Sequence, residues 1–335
     1  MKITVQDFTG IYEYLPFMQD LRKRSAKTTD FHWLDCTQIV GTDCYCDDEA
    51  VKEINELIDS TKRDSSKNEG TIPEIHFFDN GYYHYMSKLW TDRIQEPFTL
   101  IVFDHHPDMQ PPRFGGILSC GGWVKEVLDS NKFIQNVIII GVKDELVETV
   151  REELSQSGEV NILDKVTFIK ESEILKEPPA SAEMTSNGSV LQKSAILKTV
   201  ILEPTGDRIH LSSLRTAQDS TAQSYSQVNL PVRHSPLSSF VFRLSSSISP
   251  NIYISIDKDV LAPAYAATNW DQGSLSTELL KKIITELAAN HKILGIDICG
   301  ERAHDFEGNE YHTIQEADAL NNALNYELVE FLRNL

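Results

Sequence analysis

Apolar positions along the chain fall into two alternating patterns. Short runs rich in Ile, Val, Leu and Phe occupy Glu74–Phe78, Thr99–Phe103, Asn136–Ile140, Val166–Ile169, Ile252–Ile256 and Ile293–Ile298, and each has the length and β-branched content of a buried strand. Between most of them, apolar residues recur at helical spacing, over Asp47–Thr61, Tyr82–Ile94, Trp123–Asp129, Asp144–Leu154, Ser276–Asn290 and Thr313–Arg333. Strands that are apolar on both faces need cover on both sides. Their alternation with helices predicts an α/β fold: a three-layer αβα arrangement with a mostly parallel central sheet. In such sheets, functional groups gather at the carboxyl ends of the strands.

The pattern breaks over 178–250, which is rich in Ser, Thr and Gln. Within it, Ala195–Glu203 and Arg208–Leu214, on either side of Pro204-Thr205-Gly206-Asp207, could pair as a hairpin, whereas Ser212–Asn229 has the composition of loop or disorder. So long a structureless loop is unusual inside a compact domain. The stretch is therefore taken as an insertion in a single domain spanning 1–335.

Composition narrows the partners. The chain has 335 residues, with 41% hydrophobic and 24% charged, as in an ordinary globular protein. Its 50 acids against 31 bases give a net charge of −19. A field of that sign argues against nucleic acid or an anionic membrane as the main partner and suits a small neutral or cationic substrate. No apolar run approaches the ~20 residues of a membrane span, and the N-terminus lacks a signal peptide's apolar stretch. The five cysteines (Cys36, Cys44, Cys46, Cys120 and Cys299) are odd in number and scattered, which fits cytoplasmic thiols better than a disulfide framework. Cys44-Tyr45-Cys46 lacks the second ligand pair of a zinc site.

Candidate chemistry lies at the ends of two apolar strands. One strand runs into Asp104-His105-His106-Pro107-Asp108, and the other ends in Ser255-Ile256-Asp257-Lys258-Asp259. Strand side chains alternate faces, so Asp104, His106 and Asp108 can point one way, as can Asp257 and Asp259. Carboxylates converging on one point repel unless cations sit between them. A metal centre with two ions is the simplest answer.

The spacing D-x-H-x-D, followed far downstream by S-x-D-x-D, resembles the ligand pattern of the arginase/agmatinase (ureohydrolase) family. That family also has a histidine early in a helix one βα unit upstream, where this chain has His84 in Gly81-Tyr82-Tyr83-His84. The resemblance runs from about Glu74 to Glu301 outside the insertion and leaves 1–70 as a divergent N-terminal part. It implies an arginase-like fold and two Mn²⁺ ions, with His84 and Asp108 on one ion, His106 and Asp259 on the other, and Asp104 and Asp257 bridging. Four aspartates would balance two divalent ions, and oxygen and imidazole ligands without a thiolate suit Mn²⁺. Two such ions acidify a shared water for attack on an sp² carbon. The implied activity is hydrolysis of a C–N bond in a linear amidine, guanidine or amide, with Asp108 accepting a hydrogen bond from the attacking hydroxide. A homo-oligomer is also compatible with the resemblance.

The chain departs from that family at two catalytic positions. Cys120, or Ser119 beside it, stands where arginases carry a proton-shuttling histidine. A thiol shuttles protons near neutral pH only if its pKa is perturbed, and the alternative is a tight Gly-Gly turn. The guanidinium-binding glutamate ends a G-x-D-I-x-E run in the family. Here the run reads Gly295-Ile296-Asp297-Ile298-Cys299-Gly300-Glu301, so Glu301 comes one residue late. The loops Thr268–Gly273 and Glu301–Asp305, together with Arg113, are further candidates for the pocket wall, and His105 is expected to support or pack under the site. Asp104-His105-His106 also resembles the Asp-His-His motif of a manganese phosphoesterase family, although that family's other motifs are missing. A non-catalytic metal-binding protein and a single-zinc deacetylase are the remaining alternatives.

Overall fold

The computed structural model describes residues 2–25, 31–61, 74–112, 114–175 and 248–335, and these belong to one compact unit. The expected hairpin and most of the expected insertion, together with Arg113, lie outside the described residues.

Eight strands form the central sheet: β1 (Ile3–Asp7), β2 (Phe31–Asp35), β4 (Glu74–Phe77), β5 (Phe98–Phe103), β7 (Ile134–Val142), β8 (Val166–Lys170), β9 (Asn251–Asp257) and β10 (Lys292–Cys299). Their order is β2-β1-β4-β10-β9-β5-β7-β8, and every neighbouring pair is parallel. The short strands β3 (Tyr45–Cys46) and β6 (Leu118–Ser119) make a separate antiparallel pair. All six strands expected from the sequence are present. β1 and β2 extend the sheet beyond them, so the divergent N-terminal part supplies one edge. In β1 the apolar residues alternate with Thr4 and Gln6, yet both polar side chains are fully buried. Such alternation normally marks a half-solvated strand, which hides a two-sided one.

The alternating side chains of the strands feed two apolar layers. On one face, Val5, Phe77, Ile101, Ile138, Ile254, Ile256 and Ile298 pack into one core with Met18 of α2 (Pro16–Ser25), Ile284 of α8 (Thr277–Asn290) and Leu328 of α9 (Ile314–Arg333). On the other, Leu100, Val102, Val137 and Ile139 share a core with helices α3 (Asp48–Ser60), α4 (Met86–Thr91), α5 (Trp123–Ser130) and α6 (Asp144–Ser157), through Ile54, Met86, Trp123 and Val147. This is the three-layer αβα fold. Local signals set the helix starts: the Asp47 carboxylate accepts from the Ala50 amide, and Thr313 and Glu316 form a reciprocal capping box.

One expected helix is different. The stretch Tyr82–Ile94 opens as a tight 3-10 turn over Gly81–Tyr83 before α4 begins at Met86. Asn80 caps that turn through its side chain. His84 sits at the junction, fully buried.

Ile254 lies on β9, between β10 and β5, and is wholly buried. Ile254→Ala is expected to lower the unfolding free energy by about 2–5 kcal/mol, read as a shift of the urea midpoint at unchanged slope.

Candidate metal centre and active site

The carboxyl ends of β4, β5, β9 and β10 are neighbours in the sheet, and the sequence loads each with polar groups. His84 follows β4, Asp104 follows β5, and Asp257 ends β9. The Nδ1 atom of His84 lies 3.2 Å from Asp104, 3.0 Å from Asp108 and 3.5 Å from Asp257. That of His106 lies 2.9 Å from Asp259 and 3.5 Å from Asp104. All six expected ligand residues therefore converge. Five of them form two groups with metal-ligand spacing, His84-Asp104-Asp108 and Asp104-His106-Asp259, that share Asp104, while Asp257 groups with His84 and Cys299.

Both imidazoles are oriented from behind. The His84 Nε2 atom is 2.9 Å from the Ser255 hydroxyl, which also meets Ser87. His106 Nε2 is 2.9 Å from Asp271, whose other oxygen accepts from Lys143 at 2.8 Å. A histidine held through its outer nitrogen presents the inner one to a metal, and such partners are a usual accompaniment of metal sites. Asp271 belongs to the loop expected to line the pocket, but its contact is with His106. Asp108 adopts a left-handed conformation, φ 47°, rare for a residue with a side chain. The Trp123 indole N–H donates to its carboxylate at 2.7 Å.

Charge is the dominant stress here. Among the described residues, the ion pairs of these four aspartates are all with the two imidazoles. Burial, then the charge of Asp259, pushes the Asp257 carboxyl up to about 7. Burial and the charge of Asp104 also raise Asp259. Burial opposes a proton on His84, but hydrogen bonds and charge from Asp104 and Asp108 outweigh it and hold the imidazolium well above its usual range. His106 is raised in the same way, with Asp259 and Asp104 overcoming its burial. The cluster thus favours positive charge, in a donor set of carboxylates and imidazoles that suits divalent cations.

Cys299 was not among the residues expected near the site. Its thiol lies 3.2 Å from Asp257 and groups with His84 and Asp257 at ligand spacing, so the surroundings are not free of sulfur as expected. Burial, then the charge of Asp257, holds that thiol well above its usual pKa. His105 turns away from the cluster, with Nδ1 3.3 Å from the Gly141 carbonyl and the backbone N–H donating to Asp259.

The two positions at which the chain departs from the resembled family are built differently from one another. Glu301 is fully buried and absent from the cavity lining; its carboxylate accepts from Lys258 and from Asn325. Counting along the run puts Gly300 at the family's glutamate position. It has φ 91°, and a Cβ there would meet an Asp257 oxygen at 2.5 Å and the Lys258 nitrogen at 2.7 Å. Glycine is the residue that tolerates both constraints. Cys120 does line the cavity, but hydrogen bonding with Cys44, then burial, pushes its thiol up. That shift disfavours proton shuttling near neutral pH.

Above the carboxylates lies a cavity of about 140 Å³. Gln110, Gly121, Leu146, Glu153 and Trp270 contribute to its wall. Trp270 is edge-on to both His106 and Tyr82. From the loop Glu301–Asp305, Arg302 pairs with Asp318, and Asp305 accepts from Tyr82.

Comparison with known proteins places this fold. No protein-family model matches the chain. An uncharacterised protein of Thermotoga maritima is 22% identical over 319 residues, covering 95% of this chain and 86% of that protein. Among solved structures, the agmatine ureohydrolase of Thermoplasma volcanium superposes with a TM-score of 0.54 at 12% identity, covering 99% of this chain and 88% of that one. Arginase from Bacillus caldovelox gives 0.51 at 14% identity, covering 96% and 97%. The architecture is the arginase-like α/β fold in a divergent form. Among the described residues, no helix is long and apolar enough to cross a membrane.

Lys258 and Glu301 form an ion pair beside the site, both essentially inaccessible to solvent. Lys258→Ala leaves the carboxylate buried without its cation and is expected to cost about 3–5 kcal/mol of stability. Adding Glu301→Gln should restore a large part of that loss in the same urea titration.

Proposed function

We propose that this chain is a binuclear manganese-dependent hydrolase that cleaves a C–N bond in a linear amidine, guanidine or amide. The convergence of four buried carboxylates and two inward imidazole nitrogens carries the proposal. His84 and Asp108 would hold one ion, His106 and Asp259 the other, with Asp104 and Asp257 shared between them. When bound, two such ions supply Lewis acidity and an activated water. The protein's own groups then divide the remaining work. Asp108, fixed by Trp123, is the acceptor that aims the attacking water's proton. Ser255 and Asp271 keep the two imidazoles in register. Gln110 and Trp270 bound the space left for the substrate and limit the entry of bulk water.

Glu301 is engaged by Lys258 and Asn325 and so is unavailable as a guanidinium partner. Arginine and agmatine therefore rank below other linear amidines and amides as substrates. A cytoplasmic setting is part of the same proposal, in keeping with five free thiols. So is a single domain in which 178–250 is an insertion. His105 faces the Gly141 carbonyl instead of the cluster, which counts against an Asp-His-His phosphoesterase.

Protein produced with manganese is expected to carry close to two Mn²⁺ per chain by elemental mass spectrometry and to hydrolyse a member of an amidine and amide panel. Asp104→Asn and Asp257→Asn should each lose activity and metal together. One zinc per chain, or full activity in either variant, would overturn the proposal.

Metal binding should also depend on pH. The protons on His84 and His106 and on Asp257, whose carboxyl titrates at about 7, must leave as ions enter. Affinity then rises with pH, by about tenfold per unit for each proton displaced. Titration calorimetry of the metal-stripped protein with Mn²⁺, in buffers of different ionisation enthalpy, measures that proton release directly.

A further inference from the structure

Away from the proposed ligands, one pair of side chains is placed for chemistry of its own. β3 and β6 pair antiparallel, with Tyr45 opposite Ser119 and Cys46 opposite Leu118. Cys44 and Cys120 stand one residue beyond the end of this ladder. The Cys120 amide donates to the Cys44 carbonyl at 2.9 Å. A backbone hydrogen bond joining two residues keeps their Cα atoms within about 7 Å, the outer limit a disulfide can span.

The backbone at Cys44 is unusual. Its φ is 58°, and a tight turn returns the Tyr45 amide to the Asp43 carbonyl. Asn, Asp and Gly populate that left-handed region more readily than cysteine does. The strained turn directs Cys44 toward Cys120, which lines the cavity above the carboxylate cluster.

We propose that Cys44 and Cys120 are a dithiol modification site that closes to an intramolecular disulfide in the cavity wall on exposure to a small disulfide oxidant such as oxidised glutathione. Cys44 is the attacking sulfur. The hydrogen bond from Cys120 holds its thiol below the usual value, against burial and the charges of Asp43 and Asp305. Its thiolate attacks one sulfur of the oxidant, whose S–S bond breaks and releases one glutathione as thiol. Cys120 then displaces the second glutathione from the mixed disulfide. Two protein thiols are oxidised, one S–S bond forms, and the oxidant is reduced to two thiols. Both cysteines are half-buried and within reach of a small reagent. Cys36, Cys46 and Cys299 are buried, and burial raises each thiol, that of Cys46 to about 12, so the chemistry is selective.

The test uses the full native chain treated with oxidised glutathione, followed by thiol titration under denaturing conditions, intact mass and peptide mapping. The expected result is a fall from five titratable thiols to three, a mass loss of ~2 Da for one disulfide, and a single linked peptide joining Cys44 to Cys120. Cys120→Ser should instead stop at a stable glutathione adduct on Cys44, because no resolving thiol remains. Five thiols retained, a link between other cysteines, or a persistent adduct on the unmodified chain would each overturn the proposal. These readouts do not depend on turnover or metal, so the proposed hydrolase activity can fail without affecting them.

Discussion

The arrangement depends on the repulsion among Asp104, Asp108, Asp257 and Asp259. Three of these carboxylates, Asp104, Asp257 and Asp259, are essentially inaccessible to solvent, and Asp108 is nearly so. Burial removes the water that would screen them and raises the cost of every uncompensated charge. Two imidazoles contact the cluster, and their protons are held tightly for that reason. A protein can keep such a cluster only where something positive completes it. Seen this way, the left-handed Asp108, the indole donor at Trp123 and the hydroxyl behind His84 are devices for holding charged groups together at short range.

The fold makes the cluster by bringing together residues far apart in sequence. β5 and β9 are separated by nearly half the chain, yet they are hydrogen-bonded neighbours, with Phe103 opposite Ile256. That register sets Asp104 and Asp257 side by side one step beyond the ladder. Apolar residues on both faces of β5 and β9 fix the register, because a slip of one residue would turn every side chain to the opposite layer. The packed layers and the site are therefore coupled: the same alternation that buries Ile254 and Ile256 in one core turns Asp257 toward the cluster.

Much of this was legible in the sequence. Six of the eight strands of the sheet came from β-branched runs, and five candidate ligands from the acids and histidine that follow two of them, because sheet topology brings those strand ends together. His84 came from the family resemblance, and the residues past β5 and β9 are set by loop and 3-10 turn instead of strand alternation. β1 and β2 were hidden, since Thr4, Gln6 and His32 interrupt the apolar pattern that marks a two-sided strand. The role of Asp271 was also hidden. Its contact with His106 spans 165 residues of sequence and depends on a loop path with no periodic signal. Cys299 is a related case: from sequence it is an ordinary strand cysteine, and only the pairing of Cys299 with Asp257 across β10 and β9 shows why its thiol meets that carboxylate.

Position 300 is fixed by the carboxylate cluster itself. Gly300 is confined by Asp257 and by the Lys258 backbone, so no side chain fits beside that carboxylate. One residue later the chain has turned, and Glu301 enters the opposite layer, where Lys258 and Asn325 hold it. Lys258 is itself placed by the 3-10 turn Lys258–Val260 that follows β9, between two aspartates that join the cluster. Its ammonium can reach only the far side, and a buried cation there requires a buried anion. Lys258 and Glu301 thus pair through one carboxylate oxygen, which Asn325 shares, while the other oxygen is buried without a hydrogen-bond partner. A carboxylate returned to position 300 would have to displace Asp257, and Lys258 would still need its partner. The place of Glu301 is held by electrostatics behind the cluster, through Lys258, and not by the residues that line the cavity.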